Sequence, residues 1–314
     1  MRSVALYLSA GGDRRLAALR RFGLSIGGFT IVGHAVLGFE QSWTHPVASV
    51  ATACAVELLL ETIDAGARAR PVRYRGGPSQ LVDFLLPALI TGLAVAMLLY
   101  PNQRTTPIVF AAVVAVGSKY LFRVPIGGGW RHALNPSNTG IAATLILFPS
   151  VGIVPPYHFT ENVSGLLDWI VPLGVLASGL MLNWRLTGKM PLIAGWVGGF
   201  LVQAAIRWAV FGAPLVAMFL PVTGLAFMLF TVYMVTDPAT TPIRPGAQFA
   251  FGLAVAAAYG ALVTAHVVFG MFFALVVVSA TRGVGLLALL AYRRATRVLA
   301  PQPQPVAGIH VVQP

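Results

Sequence analysis

Long apolar stretches alternate with short polar, cation-bearing segments along almost the whole chain. That rhythm predicts about ten membrane-crossing helices, at 22–39, 47–64, 81–100, 106–123, 136–154, 166–183, 191–211, 214–235, 247–267 and 270–292. Each stretch approaches the roughly 20 residues that a helix needs to cross a bilayer. The runs are continuously apolar rather than alternating polar and apolar, which favours a helical bundle over a β-barrel. Pro149 interrupts the fifth run, so that helix is expected to be short or broken. The predicted organisation is a basic arm at 1–21, a membrane domain at 22–295 and a Pro-rich tail at 296–314. The arm carries Arg14, Arg15, Arg20 and Arg21 and reads either as a short amphipathic helix on an anionic leaflet or as a solvated basic segment.

Composition fixes the class. Of 314 residues, 57% are hydrophobic and 10% charged, against about a quarter charged in an ordinary soluble domain. The chain is therefore expected to be an all-α integral membrane protein with the lipid bilayer as its first partner. A net charge of +12 would suit nucleic acid, but the cations sit between apolar runs rather than along a groove with interleaved aromatics, so no nucleic-acid partner is expected. The ten-span arrangement places nearly every Lys and Arg on one face. Arg104 and Arg207 alone fall opposite, and Arg282 lies inside a span. The positive-inside rule then puts both termini in the cytoplasm, with the protein in the inner (plasma) membrane of a bacterium. Cys54 is the one cysteine, which excludes an intrachain disulfide and the usual cysteine metal sites.

An internal echo bears on architecture. Thr-Thr-Pro-Ile occurs at Thr105–Ile108 and again at Thr240–Ile243, after the third and eighth predicted spans and hence on opposite faces. Two inverted five-helix halves would produce that pattern, and such repeats place their site between the halves. Thr106-Pro107, Thr241-Pro242 and Asn135-Pro136 each have the form of a capped helix start, where free N–H groups and the helix dipole favour electron-rich oxygens. The densest cluster is "IGGGWRHALNPSNTG" at 126–140. Its glycines permit close backbone approach, and Asn135, Ser137 and Asn138 offer donors and acceptors where an apolar span begins. No Gly-Lys-Ser/Thr follows, so it is not a phosphate loop. It suits a planar, amide-bearing ring, with Trp130 as a stacking partner.

"NPSNTGIAATLILFP", followed by "YMVTDPATTP", resembles RnfD, a membrane component of the Rnf electron-transport complex, and its relative NqrB, of the sodium-pumping NADH:quinone reductase, over most of 80–290. "VGIVPPYHFTENVSGLLDWIVP" is similar to the UnbU proteins associated with enediyne biosynthesis. The resemblance implies two inverted five-helix halves in a urea-transporter-like fold that binds flavin and passes electrons through the membrane, alongside other membrane or redox subunits. In RnfD proteins, a Ser-Gly-Ala-Thr motif carries FMN as a phosphoester on its Thr. The matching stretch here is Ser164-Gly165-Leu166-Leu167, and Leu167 replaces the acceptor hydroxyl, so covalent FMN is not expected. Thr160 lies nearby without support for that role.

A noncovalent flavin, riboflavin or FMN, is expected instead near Trp130, Arg131, Asn135, Ser137, Asn138, Thr236, Asp237, Thr240 and Thr241. On this reading Asp237 caps or orients a helix end, Thr240 and Thr241 donate hydrogen bonds, and Arg131 and Arg244 are candidates for a phosphate. His158 and Glu161 lie one helical turn apart with Asp168 the only further ligand nearby, and they read as polar loop residues. Glu57, Lys119, Arg282, His34 and His266 are ionisable residues within predicted spans and functional candidates on that ground; Glu57 and Lys119 read either as a self-neutralising pair or as part of an ion path, and His34 and His266 as hydrogen-bonded side chains rather than haem ligands. Three functions remain open: a flavin-bearing redox subunit, a small-solute transporter or channel of the same fold, and a scaffold subunit without cofactor. No acid–base or nucleophilic catalytic set is visible.

Overall fold

The computed structural model describes residues 2–39, 41–126, 129–153, 162 and 165–299. Within them the chain is helical: α1 Arg2–Val32, α2 Thr44–Ala67, α3 Pro78–Leu98, α4 Thr106–Leu121, α5 Pro136–Leu147, α6 Ile170–Leu182, α7 Met190–Phe211, α8 Leu215–Thr223, α9 Leu225–Leu229, α10 Pro245–Thr264 and α11 Gly270–Leu299. Two small antiparallel ladders accompany them, β1 Leu99–Tyr100 with β4 Gly152–Ile153, and the hairpin β2 Arg123–Ile126 with β3 Gly129–His132.

Six helices are long and apolar enough to cross a membrane, and α8 with α9 and the turn after it makes a seventh if that bent pair is one span. The protein is thus a multi-pass membrane protein. Each predicted segment contains a helix, but the fifth is helical only over Pro136–Leu147, and α4, α5 and α6 are shorter than a full crossing, so six or seven helices rather than ten have the length and composition of a span. The reason is local at α5. Its 12 residues begin after the Asn135 cap at Pro136 and end at Leu147, because a helical conformation at Phe148 is disfavoured by Pro149 behind it. At the N-terminus the helix runs unbroken from Arg2 through the predicted arm, and the apolar candidate span is Leu16–Leu37.

Side chains that face outward on the long helices are large and apolar, among them Leu24, Ile31, Val47, Leu59, Val202 and Val210, as lipid contact demands. The interior is aromatic where α7 meets the broken helix. Trp196 is fully buried with Phe200, Phe227, Phe230 and Tyr259 around it, and its Nε1 donates to Thr231 Oγ1 at 2.9 Å. The indole therefore fills the core without leaving an unpaired N–H.

Alpha helices 1 and 6 share an ending. Each relaxes into one π-helical turn, Gly33–Leu37 and Asn183–Thr187, and each stops at a left-handed glycine, Gly38 (φ 77°) and Gly188 (φ 63°). Backbone bonds Phe39 N to Gly33 O (3.0 Å) and Lys189 N to Asn183 O (3.1 Å) close both turns. The next helices also correspond, α2 packing on α4 and α7 on α10.

Alpha helices 7 and 10 approach backbone to backbone. A Cβ on Gly195 would collide with the Phe249 carbonyl oxygen, and one on Gly252 with the Leu192 carbonyl oxygen. Small residues at such crossings are what lets helices pack in lipid, where no hydrophobic driving force acts between them. A backbone carbonyl cannot swing aside as a side chain can. Gly252→Val is therefore expected to lower stability by at least about 1–3 kcal/mol, whereas Gly198→Ala, with nothing within 4 Å, should leave thermal unfolding in detergent unchanged.

Candidate functional site

The β2–β3 hairpin delivers the chain to the start of α5, with Ala133 N bonded to Phe122 O at 2.8 Å. Asn135 then caps the helix: its Oδ1 accepts from Asn138 N and from Ser137 Oγ, both at 3.0 Å. Its Nδ2 reaches across the bundle to the Met234 carbonyl at 3.0 Å. Met234 ends the π-helical turn Phe230–Met234 that continues α9, a place where carbonyls are left without intrahelical partners. One amide thus joins the beginning of α5 to the end of the broken helix. Asn138, 1% exposed, donates from Nδ2 to the Phe272 carbonyl of α11 at 2.9 Å, and its Oδ1 is buried with no hydrogen-bond partner.

Beyond Met234 the chain unwinds. Asp237 organises the turn, accepting Ala239 N at Oδ1 and Thr240 Oγ1 at Oδ2, both at 3.0 Å, while its backbone carbonyl accepts Thr241 Oγ1 at 2.6 Å. Thr236 Oγ1 donates to the Val232 carbonyl at 2.9 Å. Asp237 is therefore the centre of a side-chain-closed turn rather than a helix cap. The helix start expected at Pro242 lies later, at Pro245, with Arg244 in the N-cap position. The turn uses the hydroxyl hydrogens of Thr240 and Thr241 internally, and only their lone pairs remain to meet anything else.

Two cations complete the junction, Arg282, flagged in the sequence only as a charge inside a span, and Lys189, not flagged at all. Lys189, 3% exposed, donates from Nζ to the Pro242 carbonyl at 2.7 Å. Arg282, from α11, donates from Nη1 to the Thr240 carbonyl at 2.8 Å. Burial pushes the Lys189 ammonium down to about 8, with Asp237 pulling the other way and Arg282 adding to the depression. Asn183 supports the same region, its Nδ2 donating to Val232 O at 2.6 Å and Gly179 O at 2.8 Å. The available sequence signal is Arg282 itself, a cation inside a span and so a functional candidate by default. Lys189 reads in the sequence only as loop charge.

The remaining candidates divide. His132 joins the hairpin to the junction, its Nε2 4.0 Å from Asp237 Oδ2. Trp130 and Arg131 stand exposed on β3, Trp130 opposite Pro125, and Arg244 is exposed as well. Glu57 and Lys119 pair as expected, at 2.5 Å, with Tyr120 donating to the same carboxylate at 3.2 Å. His34 keeps its Nδ1 2.8 Å from the Thr30 carbonyl. The stretches holding His158, Thr160, Glu161 and Ser164, the side chains of Leu167 and Asp168, and the tail from 300 lie outside the described residues. Among the described residues no group of three or more His, Cys, Asp or Glu could hold a metal ion.

A cavity of about 250 Å³ lies elsewhere, between α1, α3, α6 and α9, lined by Phe29, Val32, Met97, Val175, Leu225 and Leu229. Its lining is wholly apolar in side chain.

Together these features define a multi-pass α-helical membrane protein with a polar junction where an unwound segment meets the start of another helix. No protein-family model matches the chain, and no curated protein matches it.

Proposed function

We propose that the chain is a membrane component similar to RnfD and to the UnbU proteins, that it binds flavin noncovalently, and that it takes part in electron transfer through the membrane. The observation that carries this reading is the junction itself: Asn135 is bonded to Met234, and Lys189 and Arg282 both hold the turn that follows. A flavin supplies the electron-accepting ring, and the protein's task is to position it and set its electrostatics.

The residues present fit that task. The buried Asn138 Oδ1 is an acceptor without a donor, which suits an imide N–H. Lys189 and Arg282 place positive potential beside the turn, which favours a reduced ring bearing negative charge. Asn135, Thr236, Asp237, Thr240 and Thr241 shape the site through the bonds already described, Ser137 buttresses Asn135, and Trp130 and Arg131 offer an exposed face for stacking or charge.

The finer architecture belongs to the same proposal. Ten spans arranged as two inverted five-helix halves in a urea-transporter-like fold would account for the matching π-turn endings of α1 and α6 and for the equivalent α2–α4 and α7–α10 packing. Both termini would then be cytoplasmic and the membrane a bacterial plasma membrane, on the strength of the Lys and Arg distribution.

A second reading, a small-solute channel, draws on the 69° bend between α8 and α9, since broken helices line many conduction sites. The apolar lining of the cavity beside α9 disfavours a polar solute there. An absorption spectrum of protein purified under mild conditions separates the two. Flavin bands that leave with the supernatant after denaturation are expected; a colourless, folded protein that carries solute into liposomes would establish the channel instead.

A further inference from the structure

We infer that Lys189, Arg282 and the Asp237–Ile243 turn form a binding site for an anionic group of the phosphate class. The argument begins with charge accounting. Among the described residues three half-buried cations are matched with carboxylates, Lys119 with Glu57, Arg70 with Glu61 and Asp64, and Arg123 with Asp64, whereas half-buried Arg207 has no such pair. Among the described residues, Lys189 and Arg282 make no ion pair within 4.0 Å and instead donate to two backbone carbonyls, those of Pro242 and Thr240. A buried charge held only by neutral dipoles is costly.

Asp237 offsets part of that cost for Lys189 through its charge but makes no ion pair with either cation within 4.0 Å. Its two carboxylate oxygens are engaged in closing the turn, with Ala239 N and Thr240 Oγ1, and His132 stands beside Oδ2. Donor capacity is in surplus too. An ammonium has three donors and a guanidinium five, and one of each is used by the turn. The carbonyls that hold the cations are two residues apart, so both cations are tied to one short turn with donors to spare. A tetrahedral anion with several oxygens is the group that such a pair matches, the guanidinium fork taking two oxygens and the ammonium acting as a point charge.

Three sources share this chemistry: the phosphate of FMN, a phospholipid headgroup and free phosphate. The inference rests on the flavin reading for the first of these and on the two cations alone for the site. On that basis FMN, rather than riboflavin, is the form retained.

The test uses full-length protein in a nonionic detergent free of phosphate, titrated with FMN, riboflavin, inorganic phosphate and short-chain phosphatidic acid. FMN is expected to bind at least about tenfold more tightly than riboflavin, the scale of one charge-assisted bond, and inorganic phosphate is expected to weaken FMN binding. Lys189→Gln and Arg282→Gln should erase the preference for FMN over riboflavin, while Arg282→Lys keeps part of it. Should the glutamine variants fail to fold, the competition on the native chain decides alone. Equal affinity for FMN and riboflavin with no effect of phosphate would overturn the inference and leave the flavin reading standing. Phosphate binding that depends on Lys189 and Arg282, without either flavin, would support the site and remove the flavin. Phosphatidic acid displacing phosphate, without flavin binding, would assign the site to lipid, and no binding of any probe would end both.

Discussion

Glu61→Gln is expected to destabilise the chain by about 3 kcal/mol, the lower part of the range for stripping one partner from a buried ion pair. The Glu61 side chain is fully buried near the end of α2. It accepts Arg70 Nη1 at 2.6 Å and Nη2 at 3.0 Å, and Arg73 N, Nε and Nη2 at 2.9, 2.9 and 2.7 Å. This carboxylate folds the 68–77 loop back onto the helix that precedes it. Glutamine keeps the shape but removes the charge and turns an N–H₂ toward a guanidinium. The arginines are 29% and 56% exposed, and Asp64 still holds Arg70, so water and the remaining carboxylate soften the loss. A control sits at Asp83, whose bond to Arg20 is exposed; Asp83→Asn should cost under about 1 kcal/mol. Thermal unfolding in detergent reads both, and equal losses would show that the Glu61 cluster is merely solvated charge.

Asn135→Ala is the second large effect, about 2 kcal/mol. Roughly 1 kcal/mol comes from losing the α5 cap, and about 1 kcal/mol from losing the shorter of the two bonds to the Met234 carbonyl, which keeps the Asp237 N–H at 3.4 Å. Asn135→Ser separates the parts, because a serine hydroxyl can cap the helix but cannot also reach across to Met234. It should recover the cap and not the bridge. If the bridge organises the site, both variants lose flavin together with their stability. Flavin retained at native occupancy by Asn135→Ala would place the cofactor elsewhere.

The helices were legible because lipid demands apolar side chains over a whole segment and interfacial loops collect the charge. The α5 cap was legible for a local reason, since Asn-Pro before an apolar run leaves little choice of backbone. What escaped the sequence was set by distance along the chain. Arg282 and Thr240 are 42 residues apart, Lys189 and Pro242 53, and Asn135 and Met234 99, and no periodicity announces such partners. The start of α10 differs from expectation for another reason. Thr241-Pro242 has the form of a cap, but Asp237 draws the threonine hydroxyls into its own turn and postpones the helix to Pro245. Trp130 has the look of a stacking residue in a glycine-rich loop, and the sequence did not show that the loop is a hairpin that leaves its ring exposed.

The most direct test of the proposed role is chemical: acid extraction of the purified, native-membrane protein, followed by chromatographic identification and quantification of what is released. A stoichiometric flavin in the supernatant, with none left on the precipitated chain, is the predicted result. A well-folded preparation that releases no flavin, and cannot be loaded with any, would contradict the account.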